Sequence, residues 1–233
     1  MPSRRLVLHA ALGSLAAPAL AAGRAPFRQL AVAEPPFEEI YEVLIAMAPP
    51  LARTAIGKLV TQGITEIDQR QKAAALTAAL DPERTDLHQQ FLLGLADGLA
   101  DADAQVLRVP VDEAEDERGL LGQLRERVPK ADALMLANAS GRFVALHGVD
   151  SYAPSVVVGV KLLPAGGGKP WIDGVFSAGF RSLDPTAVHL ADVALPERFD
   201  NHAALLARAD TARAALQRGA LAIGTAVARR LLG

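Results

Sequence analysis

Two β-rich runs separated by a breaker constrain this chain more than any other stretch. Ser155 to Leu163 carries Val156, Val157, Val158 and Val160, β-branched side chains suited to a pleated surface. Pro164-Ala165-Gly166-Gly167-Gly168-Lys169-Pro170 then turns the chain. Beyond it, Ile172, Gly174, Phe176, Ala178 and Phe180 fall on one strand face. Trp171, Asp173, Val175, Ser177 and Gly179 fall on the other. So short a connection favours a hairpin over a crossover. The segments 155–163 and 171–180 are therefore expected as antiparallel neighbours in one sheet.

Around that hairpin the pattern alternates between periods. Residues 27–33 read as a first strand, closed by Glu34-Pro35-Pro36. Residues 37–48 fit helix and strand equally. Short helical patterns follow over 51–62 and 68–80. A clearer helix opens at Asp86, where Gln89 three residues on makes a capping-box pattern. Leu87, Phe91, Leu95 and Leu99 then repeat at steps of four. Residues 105–111 alternate as a strand. The acidic run Asp112 to Glu117 suits the positive end of a following helix dipole and lacks the glycine-centred spacing of a calcium loop. Residues 133–136 start another strand, which 142–146 either continues or returns to as a hairpin arm. From about Asn201, an apolar stripe through Leu205, Ala212, Leu216, Ala220, Ile223, Val227 and Leu231 predicts one long terminal helix packed on its own sheet. The expected fold is α/β or α+β, a single mainly antiparallel sheet with flanking helices and that long C-terminal helix.

Composition narrows the function classes. The formal charge is -2, from 24 Lys+Arg and 26 Asp+Glu, which leaves no electrostatic footprint for nucleic acid. No cysteine is present, which excludes disulfides, thiolate zinc sites, cysteine nucleophiles and cysteine lipidation. The first residues carry the strongest address. Arg4-Arg5, a short apolar stretch and Ala19-Leu20-Ala21 form a secretory signal peptide over 1–21. Its paired arginines and modest hydrophobicity resemble a twin-arginine leader, although Val7 stands where that motif carries phenylalanine. The general export route stays open beside it. Residues 22–233 are then a single periplasmic domain, with no integral membrane segment after cleavage.

Catalytic and cofactor motifs are missing from the pattern. The histidines lack metal-site spacing, and Ser140-Gly141 is no nucleophile elbow. Gly166-Gly167-Gly168-Lys169 is followed by Pro170, not by a helix start, and so is no phosphate loop. No cofactor, metal ligand or catalytic residue is assigned. The candidate recognition surface is the loop His147 to Pro154, with His147, Asp150 and Tyr152, joined by Trp171. Each has a structural alternative: Asp150 as a turn residue, Tyr152 as a cover for the sheet edge, Trp171 as edge-of-core packing.

Three stretches carry a family likeness. Ala131-Asp132-Ala133-Leu134-Met135-Leu136, Tyr152-Ala153-Pro154 before a valine strand, and Val160-Lys161-Leu162-Leu163 before a glycine turn resemble periplasmic domains of a group of envelope lipoproteins. The group includes the lipoprotein activators of penicillin-binding proteins and the curli secretion channel subunit. The likeness spans about residues 85–231. It implies a sheet with helices on its faces and no catalytic residue. The chain departs from the group in lacking a lipid-bearing cysteine, so membrane anchoring does not carry over. The leading expectation is an exported envelope protein that binds another envelope protein or itself. The alternatives are a secreted hydrolase-like enzyme with a site drawn from distant residues, and a small-ligand carrier using Tyr152 and Trp171.

Overall fold

The computed structural model describes residues 25–34, 41–45, 55–145, 151–180 and 186–233, with 55–67 described by backbone alone. Residues 1–21, the expected signal segment, lie outside these residues. The sheet is assembled on β1 (Gln29–Glu34). Leu30 and Val32 point to one face and Ala31 and Ala33 to the other, and all four are buried. A strand covered on both faces reads as a continuous apolar run, as this one does.

β1 pairs in parallel with β3 (Gln105–Pro110) on one side and with β4 (Ala133–Ala145) on the other. β2 (Glu42–Ile45) pairs in parallel further along β4. β4 then pairs antiparallel with β5 (Tyr152–Pro164), and β5 with β6 (Ile172–Gly179). The two-residue β7 (Val188–His189) closes the sheet parallel to β6. Among the described residues this is one seven-stranded sheet in the order β3-β1-β4-β5-β6-β7. The expected single sheet with flanking helices is present, and its longest ladders, β4–β5 and β5–β6, are antiparallel. The hairpin read from 155–163 and 171–180 is β5–β6, with Val158 opposite Phe176.

Helices cover the two faces unequally. α1 (Ala55–Leu80), α2 (Pro82–Thr85) and α3 (Leu87–Leu99) lead from β2 to β3. They share one face with α5 (His202–Ala207) and α6 (Ala209–Leu232). Leu80, Phe91, Leu95, Leu216, Ile223 and Val227 pack there against Met135, Phe143, Val156 and Val158. α4 (Glu117–Arg127) crosses the other face from β3 to β4. Its Leu121 and Leu124 bury Ala31, Ala33, Leu134 and Leu163. The capping signals are realised: Asp86 accepts from the Gln89 amide at 2.9 Å, and Asp116 from the Gly119 amide at 2.9 Å. The acidic run thus leads into a helix start, with Asp116 as its cap and Glu117 in its first turn.

Two expectations change, for α1 and for the terminal helix, and two open readings resolve. Over the described residues, the two short helical patterns at 51–62 and 68–80 belong to one helix, α1. Of the two readings open for 133–146, continuation holds over the described residues, where β4 runs unbroken to Ala145 with thirteen partners on β5. Of residues 37–48, the described part, 42–45, is strand. The terminal helix is interrupted at Arg208, whose backbone leaves the helical region (φ -116, ψ 36). No glycine or proline marks that break. The Arg208 guanidinium sits 5.1 Å from the centre of the Phe199 ring, a tertiary contact that apolar periodicity does not encode. The stripe itself is buried from Leu205 through Val227 at the expected large positions.

Candidate functional site

Of the four candidate recognition residues, only Tyr152 and Trp171 can be placed, and these two lie far apart. His147 and Asp150 lie outside the described residues. Tyr152 opens β5 and Trp171 follows the turn after it, donating its backbone amide to the Leu162 carbonyl at 2.8 Å. Ten residues of strand separate the two levels, about 33 Å at ~3.3 Å per residue. They share no cleft, so a carrier using both as one pocket does not fit. Trp171 is 39% exposed and stacks on buried Phe27 with ring centres 6.0 Å apart. It closes one end of the core, as the packing alternative held.

Tyr152 is buried in a polar corner at the other end. Its ring meets His202 edge to face at 6.3 Å. His202 Nε2 lies 3.1 Å from the Lys72 carbonyl, and Lys72 Nζ donates to Asp68 at 2.6 Å. The Asp68 hydrogen bond raises the Lys72 pKa, with burial opposing it and the Tyr152 hydroxyl adding to it. These contacts tie α1 and α5 to β5. Ser177 and His189 approach to 3.3 Å (Oγ to Nδ1) between β6 and β7. Ser177 is fully buried, so this hydroxyl braces a sheet edge and cannot meet a substrate as placed. Among the described residues, no three His, Asp or Glu side chains are grouped to hold a metal ion.

A different place has the form of a site. The chain passes from β1 to β3 on one face of the sheet, and from β3 back across to β4 on the other. Strand order therefore reverses at β1, and in open α/β sheets ligands bind beyond the carboxyl ends of strands at such a reversal. β1 pairs with β4 only as far as Met135. Just past that point lies a groove of about 330 Å³. Its lining includes Ala33 at the end of β1, Leu136 and Asn138 on β4, Gly159 and Lys161 on β5, and Val175 on β6. Glu117 and Leu120, from the first turn of α4, form one wall.

The groove is apolar with one fixed cluster of charge. Lys161 points to the face opposite the main core, because its strand neighbours Val160 and Leu162 fill that core. Its ammonium donates to Glu117 at 2.5 Å and lies 3.9 Å from Asp173 across the β5–β6 ladder. The Glu117 hydrogen bond is the main reason its pKa is raised above the ordinary lysine value, and Asp173 adds to it. Gly159 leaves the floor bare: a Cβ there would meet nothing within 4 Å.

No protein-family model matches the chain, and no curated protein shows significant similarity to it. The site must accordingly be read from its own residues. Among these, sequence reasoning placed Asp173 only on a strand face and Glu117 only in a helix start. It gave no site role to Lys161 or Asn138. A signal existed: Lys161 is the single charge inside the apolar run from Val156 to Leu163. A lysine there must either snorkel from a core or serve an open face.

Proposed function

We propose that this chain is an exported bacterial envelope protein that works by non-covalent binding, at the groove between α4 and strands β4 to β6. The observation that carries the reading is the groove's position at the strand-order reversal, with an open apolar floor and a positioned ammonium between carboxylates. Its volume is at the low end for small-molecule sites, which suits a small ligand or one projecting group of a larger one. Export rests on the leader read at residues 1–21, and the likeness to envelope lipoprotein domains supports the same compartment. Among the described residues, no helix is long and apolar enough to cross a membrane.

Site-specific photocrosslinking in the native host tests this. A benzophenone side chain at exposed Asn138 should yield an adduct of defined mass on the purified protein. The same group at Arg229, exposed on α6, should not. Equal adduct patterns at the two positions, or none at Asn138, would refute a binding site in this groove.

A further inference from the structure

The groove's charge and shape select a ligand class. We propose that it binds a small primary amine carrying a short apolar arm, an assignment that rests on the groove being the binding site. Two carboxylates, Glu117 and Asp173, line it against one cation, Lys161. The lining thus holds one net negative charge. Each carboxylate side chain is 62% exposed, against 29% for Lys161. Lys161 bonds Glu117 directly but stands too far from Asp173 for a hydrogen bond. Asp173 therefore faces the groove with acceptor capacity that Lys161 does not use.

A primary ammonium fits that vacancy in charge. It brings three donors, enough for Asp173, the outer oxygen of Glu117 and the side-chain oxygen of Asn138. An anionic ligand would meet Lys161 only alongside both carboxylates. The remainder of the cavity is hydrocarbon: Leu120, Leu136 and Val175 surround the bare backbone of Gly159. A flat or branched apolar arm can lie on that floor, and a side chain at position 159 would fill it.

The assignment makes opposite demands on neighbouring charges. Lys161 competes with the ligand's ammonium, so its removal should tighten binding, whereas loss of a carboxylate should weaken it. The probe is 2-phenylethylamine, titrated at low salt into the 15N-labelled full chain and followed by the amide resonances of Gly159, Lys161, Gly174 and Val175. Saturable shifts confined to these amides are expected, weakening as salt is added. Phenylacetate, with the same ring and opposite charge, should leave them unmoved. Lys161→Met should lower the dissociation constant about threefold and Asp173→Asn raise it about threefold, the range of a partly exposed ion pair. Asp173 is largely exposed and Lys161 half-buried, and retained spectral dispersion checks the fold of each variant. Phenylacetate binding as well as the amine would overturn the assignment. So would weaker amine binding in Lys161→Met, or no saturable shift at all. A crosslinked adduct at Asn138 without amine binding would leave the groove as a site and remove only this ligand class.

Discussion

Two single residues, Asp132 and His88, give this fold pH dependence in two separate windows. Asp132 precedes β4, and its Oδ2 accepts the backbone amides of Arg28 at 2.9 Å and Gln29 at 3.0 Å. Those bonds, Arg28 first, hold its carboxyl below the ordinary aspartate value. A depressed carboxyl contributes stability above the unfolded-state pKa of about 3.9, and loses it as pH falls through the folded value. Asp132→Asn should therefore lower the melting temperature at pH 7, with the gap to wild type closing as pH drops below about 4. His88 acts in a higher window. Burial lowers its pKa, against the opposing pull of Glu34 and Asp86. The fold favours neutral imidazole, so stability is full above about pH 6.5 and declines as pH falls from there. His88→Gln should flatten the change in denaturation midpoint between pH 7 and pH 5. An unchanged slope in the variant would show that another group titrates. At this scale the sequence was legible where the partner is local. Asp86 with Gln89 announced a cap because three residues separate them. Asp132 with Arg28 and Lys161 with Glu117 did not, because each partner is brought near only by strand pairing or a crossover helix.

The α3–α6 crossing brings two helix backbones into contact. A Cβ at Gly94 would overlap the Leu221 backbone, and one at Gly224 would overlap the Phe91 carbonyl. Thr225 also donates to the Gly94 carbonyl at 3.3 Å. Glycine inside a helix ordinarily costs about 1 kcal/mol relative to alanine, and here that cost allows two backbones to touch. Gly224→Ala should destabilise by roughly 1–3 kcal/mol through overpacking. Gly122→Ala, in α4 with nothing within 4 Å of its Cβ, should instead stabilise by up to about 1 kcal/mol. Urea denaturation of the pair checks this, and equal signs would contradict the packing. On the far side of α6, Leu216 and Ile223 are fully buried. Leu216→Ala and Ile223→Ala should each lose about 2–5 kcal/mol. Losses below ~1 kcal/mol would place the stripe at an interface with another chain. The helical stripe and the hairpin were both readable, since periods of 3.6 and 2 sort residues to faces. The parallel ladders β1–β3 and β1–β4 were not. A periodic pattern states which face is buried but not which strand lies alongside, and parallel pairing joins residues some hundred positions apart.

For the molecule as a whole, the doubly covered β1 makes the candidate site possible. Its ladder with β4 stops at Met135, short of the β2 ladder that begins at Arg142, and α4 returns across the opposite face, so that among the described residues the groove lies where order reverses. Neither Tyr152 nor Trp171 lines this place, because the groove draws single residues from β1, α4, β4, β5 and β6. Its lining looks unremarkable along the chain: one lysine in a strand, one glutamate in an acidic run, one glycine among valines. The same architecture fixes where the chain can be shortened. The described core begins at Ala25 and Phe27, both buried, and Phe27 stacks on Trp171 at the closed end of the sheet. A protein processed after Ala21 keeps both residues. The exported form should accordingly begin near Ala22, be recovered from the periplasm, and unfold at the same urea midpoint as the full chain. N-terminal sequencing and denaturation read the two halves of that expectation. Starting the chain at Arg28 instead removes Phe27 and strips the cover from Trp171, while β1 from Gln29 onward remains. Loss of a buried phenylalanine costs about 3–5 kcal/mol, so this shorter form should unfold at clearly lower urea. If the chains starting at Ala22 and Arg28 prove equally stable, Phe27 does not belong to the core. If the form starting at Ala22 is itself destabilised, part of the leader packs against the domain and cleavage there would not leave it intact.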